Sequence, residues 1–285
     1  MLKNIVVVIL LVAIMVNIAY RLDHTEHQKN DEDELMYFPS GYGIKVLSFG
    51  HQALLADMVW LQFIQYYGKH RLTDRVFTYM YHMLDILTTL NPNFLRAYLL
   101  GSLLLTHDAQ HPEQAKKLLK KGMHHNPHTW VLPFYYGFIH FVFVRDYATA
   151  QSYFVLAAHK PGAPDLPKRW AAFVTYKKLR DLETALALWL DLYNTTQNPV
   201  EQEIAALYIK DIQSQIDIDH LNEKLEVFKN KYNRSPMDLE ELVRYGILDS
   251  IPHEPHGATY TIEKGKAVST HKHDIMMWKK ARQGE

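Results

Sequence analysis

Apolar residues recur at three- and four-residue intervals through most of the chain after Gly50, and that period predicts amphipathic helices rather than strands. The segments run Ala53–Tyr67, Asp74–Leu90, Phe94–Thr106, Glu113–His124, Trp130–Val144, Tyr147–Ala158, Lys168–Leu179 and Leu182–Tyr193. Another helix is expected over residues 217–232, then a short capped one closed by Gly246. Two alternating stretches, Ala258–Glu263 and Lys266–Thr270, predict a hairpin about Gly265. The start of the chain follows neither period. Residues 5–20 (IVVVILLVAIMVNIAY) carry no charge and approach the roughly 20 residues of a bilayer-spanning helix. No small-x-small cleavage site follows, so an uncleaved signal anchor is expected in preference to a removed leader. Later apolar segments are interrupted by charge within a few residues, which limits the chain to a single span. Lys3 favours an amino terminus inside and the bulk of the chain outside the cytoplasm, although Arg21 opposes it. Residues 21–36 are polar and aperiodic, as suits a juxtamembrane linker running over 22–40.

The breaks between helices are themselves periodic. Asn-Pro stands at Asn91-Pro92, Asn126-Pro127 and Asn198-Pro199, with Pro161 and Pro164 inside the long gap, and four helix pairs of about 34–36 residues fit this spacing. Gly101 is a small residue in one first helix, with Ala115, Leu119 and Gly122 continuing the packing face on the second and Pro127 closing the unit. Gly137, Ala150, Phe154 and Ala157 repeat the pattern, and Asp181-Leu182, Ala185, Trp189 and Pro199 repeat it again, with Phe173 where a small residue is usual. These residues resemble the tetratricopeptide repeat (TPR), whose Gly-Asp-Tyr turn is similar to Arg145-Asp146-Tyr147. The resemblance covers about half the chain and implies stacked helical hairpins with one concave wall built by the first helices. The unit over Ala53–Pro92 is degenerate, with a long turn at Gly68–Asp74.

The tail reads differently. Tyr232, Ser235-Pro236, Leu239, Leu242, Gly246, Ile251-Pro252, Pro255, Gly257 and Tyr260 follow an order that resembles the C-terminal part of bacterial type II secretion pseudopilins. That family also begins with an apolar helix, but this chain lacks its prepilin-peptidase cleavage context. Glu254 stands where the family has an acidic residue, between His253 and His256, so only the small fold is carried over and not its calcium chemistry.

Composition narrows the function. Lys+Arg and Asp+Glu are 31 each, so no global field gathers nucleic acid, and none is expected as a partner. The absence of cysteine removes disulfides, thiolate zinc sites and Cys nucleophiles. Seventeen histidines invite a metal reading. Pro255 breaks the helical two-His spacing of His253 and His256, however, and a site using His271 and His273 would need ligands to converge without fixed spacing. His124, His125 and His128 suit the negative end of a helix dipole. Asp57 beside Trp60 has no second carboxylate a turn away and is expected as a polar core contact. No phosphate-cradling loop, nucleophile elbow or dinucleotide fingerprint occurs. Neither an enzyme nor a cofactor is expected.

If the repeat alignment holds, counting from each small first-helix residue places Tyr98, Ser102 and Leu105, then Phe134, Phe138 and Phe141, then Trp170, Val174 and Lys177 on the concave wall. The degenerate unit adds Met58, Gln62, Gln65 and Tyr66. Such a wall is apolar and aromatic and suits an apolar or amphipathic protein segment. Two of the chain's own segments compete for it, the helix over Asp217–Tyr232 and Met36-Tyr37-Phe38-Pro39.

The expected architecture is mostly α. An anchor over 1–21 and a linker over 22–40 precede a TPR-like helical-hairpin superhelix over 41–216, and a small α+β tail follows over 217–285. The expected role is a scaffold for protein–protein interaction, tethered to the cytoplasmic membrane by its N-terminal helix, in assembly of a secretion, pilus or exopolysaccharide apparatus. Alternatives are a metal-dependent enzyme using the C-terminal histidines and a spacer whose groove is self-filled. Homo-oligomerisation through groove or anchor stays open.

Overall fold

In the computed structural model, the structure describes residues 41–271 together with Ile14 and Asn17. The expected anchor, the linker, Met36–Pro39 and His273 lie outside the described residues. Among the described residues, no helix is long and apolar enough to cross a membrane. The described chain is mostly helical, with a small two-stranded antiparallel sheet near its C-terminal end. It divides into two compact units between Asn91 and Pro92.

The first unit holds α1 (Gly41–Leu47), α2 (Gln52–Leu72) and α3 (Met80–Leu90). Ala56, Val59 and Phe63 of α2 and Met80, Met83, Leu84, Ile86 and Leu87 of α3 form its core. The predicted helix over Asp74–Leu90 begins later, at Met80, because the chain turns first. Arg75 adopts a left-handed φ of 58° and its N–H reaches the His70 carbonyl at 2.7 Å. Asp74 holds this turn by accepting from the Val76 N–H at 3.0 Å and lying 2.8 Å from His70 Nδ1.

The second unit opens with three helical hairpins. Their helices are α4 (Leu95–His107) with α5 (Pro112–His125), α6 (Val131–Ile139) with α7 (Tyr147–Ala158), and α8 (Asp165–Val174) with α9 (Leu182–Thr195). One turn closes all three. Gln110, Arg145 and Arg180 are left-handed, with φ of 58°, 62° and 57°. The following N–H bonds a carbonyl six residues back in each case: His111 to Leu105 at 2.7 Å, Asp146 to His140 at 3.1 Å and Asp181 to Thr175 at 3.2 Å. In the last two hairpins the first helix widens into a π-turn, His140–Val144 and Thr175–Leu179, before the reversal. Asp146 and Asp181 then cap the second helix by accepting from the N–H of Thr149 and Thr184, both at 3.1 Å. Such caps contribute about 1 kcal/mol each.

With Arg75, these left-handed residues recur every 35 positions. The second-helix core keeps the same step: Met80, Ala115, Ala150 and Ala185, then Leu84, Leu119, Phe154 and Trp189, all fully buried. Each large member of this ladder contributes roughly 1.5–3 kcal/mol. The Asn-Pro dipeptides serve two purposes. Asn91 and Asn126 both end a second helix, and the Asn126 amide donates to the Gly122 carbonyl at 3.1 Å and to the Pro92 carbonyl at 2.8 Å. Asn198 instead caps the start of α10 (Pro199–Tyr232), accepting from the Val200 N–H at 3.0 Å.

The helix expected at 217–232 is the second half of α10, which runs without a break through 216–217. Leu221, Leu225 and Phe228 of α10 form a C-terminal core with Leu239, Leu242, Leu248, Tyr260 and Ala267. The short helix α11 (Glu240–Arg244) is closed by Gly246 at φ 65°, as expected. Strands β1 (Tyr260–Glu263) and β2 (Lys266–Ser269) pair antiparallel about Lys264-Gly265, both at positive φ, the two-residue hairpin geometry. Asn222 on α10 accepts from the Ala267 N–H at 2.9 Å and Asp217 accepts from the Tyr260 hydroxyl at 2.8 Å, which fixes the hairpin to the helix.

Candidate functional site

The 35-residue step sets the register of the first helices and moves it by one residue from the sequence expectation. Matching the turns aligns Gly137 with Ser102 and Ala172, not with Gly101 and Phe173. Ser102 and Ala172 are fully buried. Gly137 is small because a Cβ there would stand 3.0 Å from the Ala150 carbonyl oxygen and 3.1 Å from the Phe154 ring. The row of small residues stops with the hairpins: one step further, on α10, stands half-buried Leu207. Phe173 is therefore no departure from the pattern. It belongs to the neighbouring row, Leu103, Phe138, Phe173 and Tyr208, every one half-buried.

Five of the residues expected on the wall are corrected by this geometry. Tyr98, Ser102 and Leu105 are fully buried in the first hairpin, because a one-residue shift of register turns a helical side chain by about 100°. Val174 is buried for the same reason. Phe134, a turn before Gly137, is buried against Phe154. All five are core. Phe138, Phe141 and Trp170 keep part of their surface. Trp170 is the hub, with ring centroids 6.1 Å from Phe138, 5.2 Å from Phe141 and 6.2 Å from Phe173. Phe173 then meets Tyr208 at 6.4 Å and Phe141 at 6.5 Å. Leu103, Phe173, Tyr176 and Tyr208 were missed by the sequence reading, although the 35-residue spacing of Asp146 and Asp181 carried the signal.

Cations border this aromatic row. The Lys177 ammonium lies 4.0 Å from the Tyr176 ring centroid and 5.8 Å from that of Tyr208. Lys178 lies over Tyr147 at 5.3 Å and Phe141 at 6.0 Å. Partial burial pulls the Lys177 ammonium below the usual lysine range, against the attraction of Asp211. Burial, with the charge of Asp211 adding to it, pushes the Tyr208 phenol up to about 12. The row is thus an apolar, aromatic strip with a positive margin. It is suited to stacking and burial and offers no paired acid and base.

Tyr66 and Asp57 lie in the first unit. The Tyr66 hydroxyl accepts from the Tyr79 N–H at 3.1 Å and braces the α2–α3 turn. Asp57 is exposed on α2, not the polar core contact expected.

A second polar cluster sits at the tail. Glu254 is buried. Burial alone would raise its pKa, but it accepts from the N–H groups of Ala258 and His256 and from the hydroxyls of Ser269 and Ser214, which together hold it low. His256 stacks on His271 at 4.0 Å, with planes 6° apart, and its Nε2 lies 3.1 Å from Asp211 Oδ1. His253 stays exposed. Among the described residues, no group of three His, Asp or Glu side chains is disposed to hold a metal ion. Glu254 acts as the knot of the 252–258 loop, tying it to α10 and β2.

In the helix over Asp217–Tyr232, Ile218, Leu221, Leu225, Phe228 and Tyr232 belong to the C-terminal core, and none joins the cluster around Phe134, Phe138 and Trp170. No protein-family model matches this chain, and no curated protein matches it either.

Proposed function

We propose that residues 41–216 are a tetratricopeptide-type hairpin superhelix acting as a non-catalytic scaffold, tethered to the cytoplasmic membrane by the apolar segment 5–20, with the bulk of the chain outside the cytoplasm. Its ligand is an apolar or amphipathic protein segment laid along Leu103, Phe138, Phe173 and Tyr208. The observation that carries the reading is the turn recurring every 35 residues, with its left-handed residue, backbone bond and side-chain ladder in one register. The left-handed Arg145 also explains why the related turn has Gly there: only Gly takes that conformation without steric cost. A row of half-buried rings bordered by lysines supports burial-driven capture, worth roughly 25 cal/mol per Å² of apolar area. Placement in a secretion, pilus or exopolysaccharide assembly rests on the tail's likeness to pseudopilins.

Photocrosslinking in native membranes tests this. With benzoylphenylalanine at Phe138 or Phe173, a discrete protein adduct is expected, absent with the probe at exposed Glu203. Phe138→Asp should abolish adduct formation from the Phe173 probe while the chain still melts cooperatively. A probe that captures nothing, or the same set of proteins from all three positions, overturns the reading. An adduct with a second copy identifies the ligand as this chain itself.

A further inference from the structure

We infer that α2, with the turn before it, lies on the bilayer surface and buries its outer face among lipid headgroups and acyl chains. The inference rests on the membrane tether proposed above.

The helix has two apolar sides and its own unit uses one. Ala56, Val59 and Phe63 point into the core. On the opposite side, Leu54, Met58 and Leu61 follow one another at helical spacing and Leu72 returns to the same face three turns later, beyond Gln65 and Gly68, every one of the four exposed, with Leu61 at 62%. Val46 and Phe49 extend the strip beyond the start of the helix. Phe49 is 86% exposed and held at a positive φ of 45°. Isolated apolar residues on a surface need no explanation, but a helix with apolar residues on both sides is normally covered on both.

Three observations select lipid as the cover. The first is position in the chain. Twenty residues, 21–40, separate the apolar segment from Gly41, and a chain of that length spans at most about 70 Å even when fully extended. A bilayer holding that segment is therefore always close to α1 and α2, at an effective concentration a diffusing partner does not match. The second is the charge at the strip's ends. Lys45 precedes Val46, and Lys69 and Arg71 precede Leu72, leaving Asp57 as the one acidic residue of α2. Cations flanking an apolar row are what an interfacial helix presents to headgroups. The third bears against a second copy. A two-fold pairing of identical strips would bring these cationic ends towards one another. At 21 residues α2 is about 31 Å long, a spanning length, but it is not apolar enough to cross a membrane, so it lies in the plane of the surface.

The chain contains no cysteine, so single labels can be placed without background. The full-length chain is reconstituted into phosphatidylethanolamine–phosphatidylglycerol vesicles with a nitroxide on Leu61→Cys, Phe49→Cys or, as an aqueous reference, Glu203→Cys. Leu61 and Phe49 are both largely exposed, so a label there replaces little buried surface. The expected result is a several-fold lower collision rate with a water-soluble nickel chelate at positions 61 and 49 than at 203, with oxygen access raised. Equal chelate access at all three positions overturns the inference, and so does spin–spin broadening at 61 or 49, which would reveal a second copy as the cover. Alkaline carbonate extraction separates the two readings. A chain that is retained but whose label at 61 meets water leaves the tether standing and removes this inference. A chain released by carbonate removes both.

Discussion

Gly122 shows how closely individual side chains are matched across a hairpin. A Cβ added there would stand 2.8 Å from Cδ1 of Tyr98, a ring with no exposed surface and no room to swing away. At the same step of the later hairpins stand Ala157 and Leu192, so the residue is small where its neighbour is a large ring and larger elsewhere. Alanine gains about 1 kcal/mol over glycine in helix propensity, while overpacking a filled core costs about 1–3 kcal/mol. Gly122→Ala should therefore lower unfolding stability by about 1 kcal/mol, read as a lower urea midpoint with unchanged slope. Tyr98→Leu in the same chain should restore part of it. Purely additive effects would show that the two residues do not share the space.

Among the elements, the hairpin turn divides into two contributions of opposite sign. Asp146→Ala removes the acceptor for the Thr149 N–H and should cost roughly 0.5–2 kcal/mol. Arg145→Gly removes a side chain from a left-handed site that costs about 1 kcal/mol and should raise the melting temperature. Thermal melts of the two variants check both signs. The same turn explains what was legible beforehand. Helix period and the β-hairpin about Gly265 are written in local composition, and most helices were readable to within a few residues, but α1 and the first half of α10, residues 199–216, were not anticipated. The register of the wall was not. Gly101 and Gly137 are both glycines, but 36 residues apart, and counting from them slid the first hairpin by one position, carrying Tyr98, Ser102 and Leu105 from core to wall. What sets the register is the backbone at Gln110, Arg145 and Arg180, and neither Gln nor Arg advertises a left-handed φ. The aspartates behind two of those turns were the better ruler, and they point to Phe173 and Tyr176. The late start of α3 has a similar cause, since Arg75 gives no sign of the reversal it makes.

For the whole molecule, two histidines set a pH dependence. His140 is buried; its burial, together with the charge of Lys116, pulls its pKa below the ordinary imidazole value in spite of Asp146 at 3.4 Å. For His256, burial and the stacked His271 outweigh Asp211 and Glu254 and pull in the same direction. In both cases the unfolded chain binds the proton more readily, so stability rises with pH across this window. It is fully present above about pH 7 and is lost as pH falls through the ordinary value of about 6.5 towards the lower folded values. Urea midpoints measured between about pH 7.5 and 5 should fall, and His140→Gln with His256→Gln should flatten the curve. An unchanged slope in the double variant would place the dependence elsewhere. Capping by Asp146 and Asp181 fails in a separate, more acid window, since hydrogen bonds from Thr149 and Thr184 hold those carboxyls below their usual range.

The constant interval between the left-handed turns also restricts how such a chain can change its size. Excising or duplicating 35 residues joins each helix to its counterpart with every side chain facing as before. A deletion of 34 or 36 whose joint falls inside a helix would rotate the rest of that helix by about 100° and, in the second helices, bring polar surface into the ladder of Ala150, Phe154 and Trp189. Lineages descended from this sequence are thus free to grow or shrink by complete hairpins, and closed to single-residue insertions inside the helices that carry the ladder.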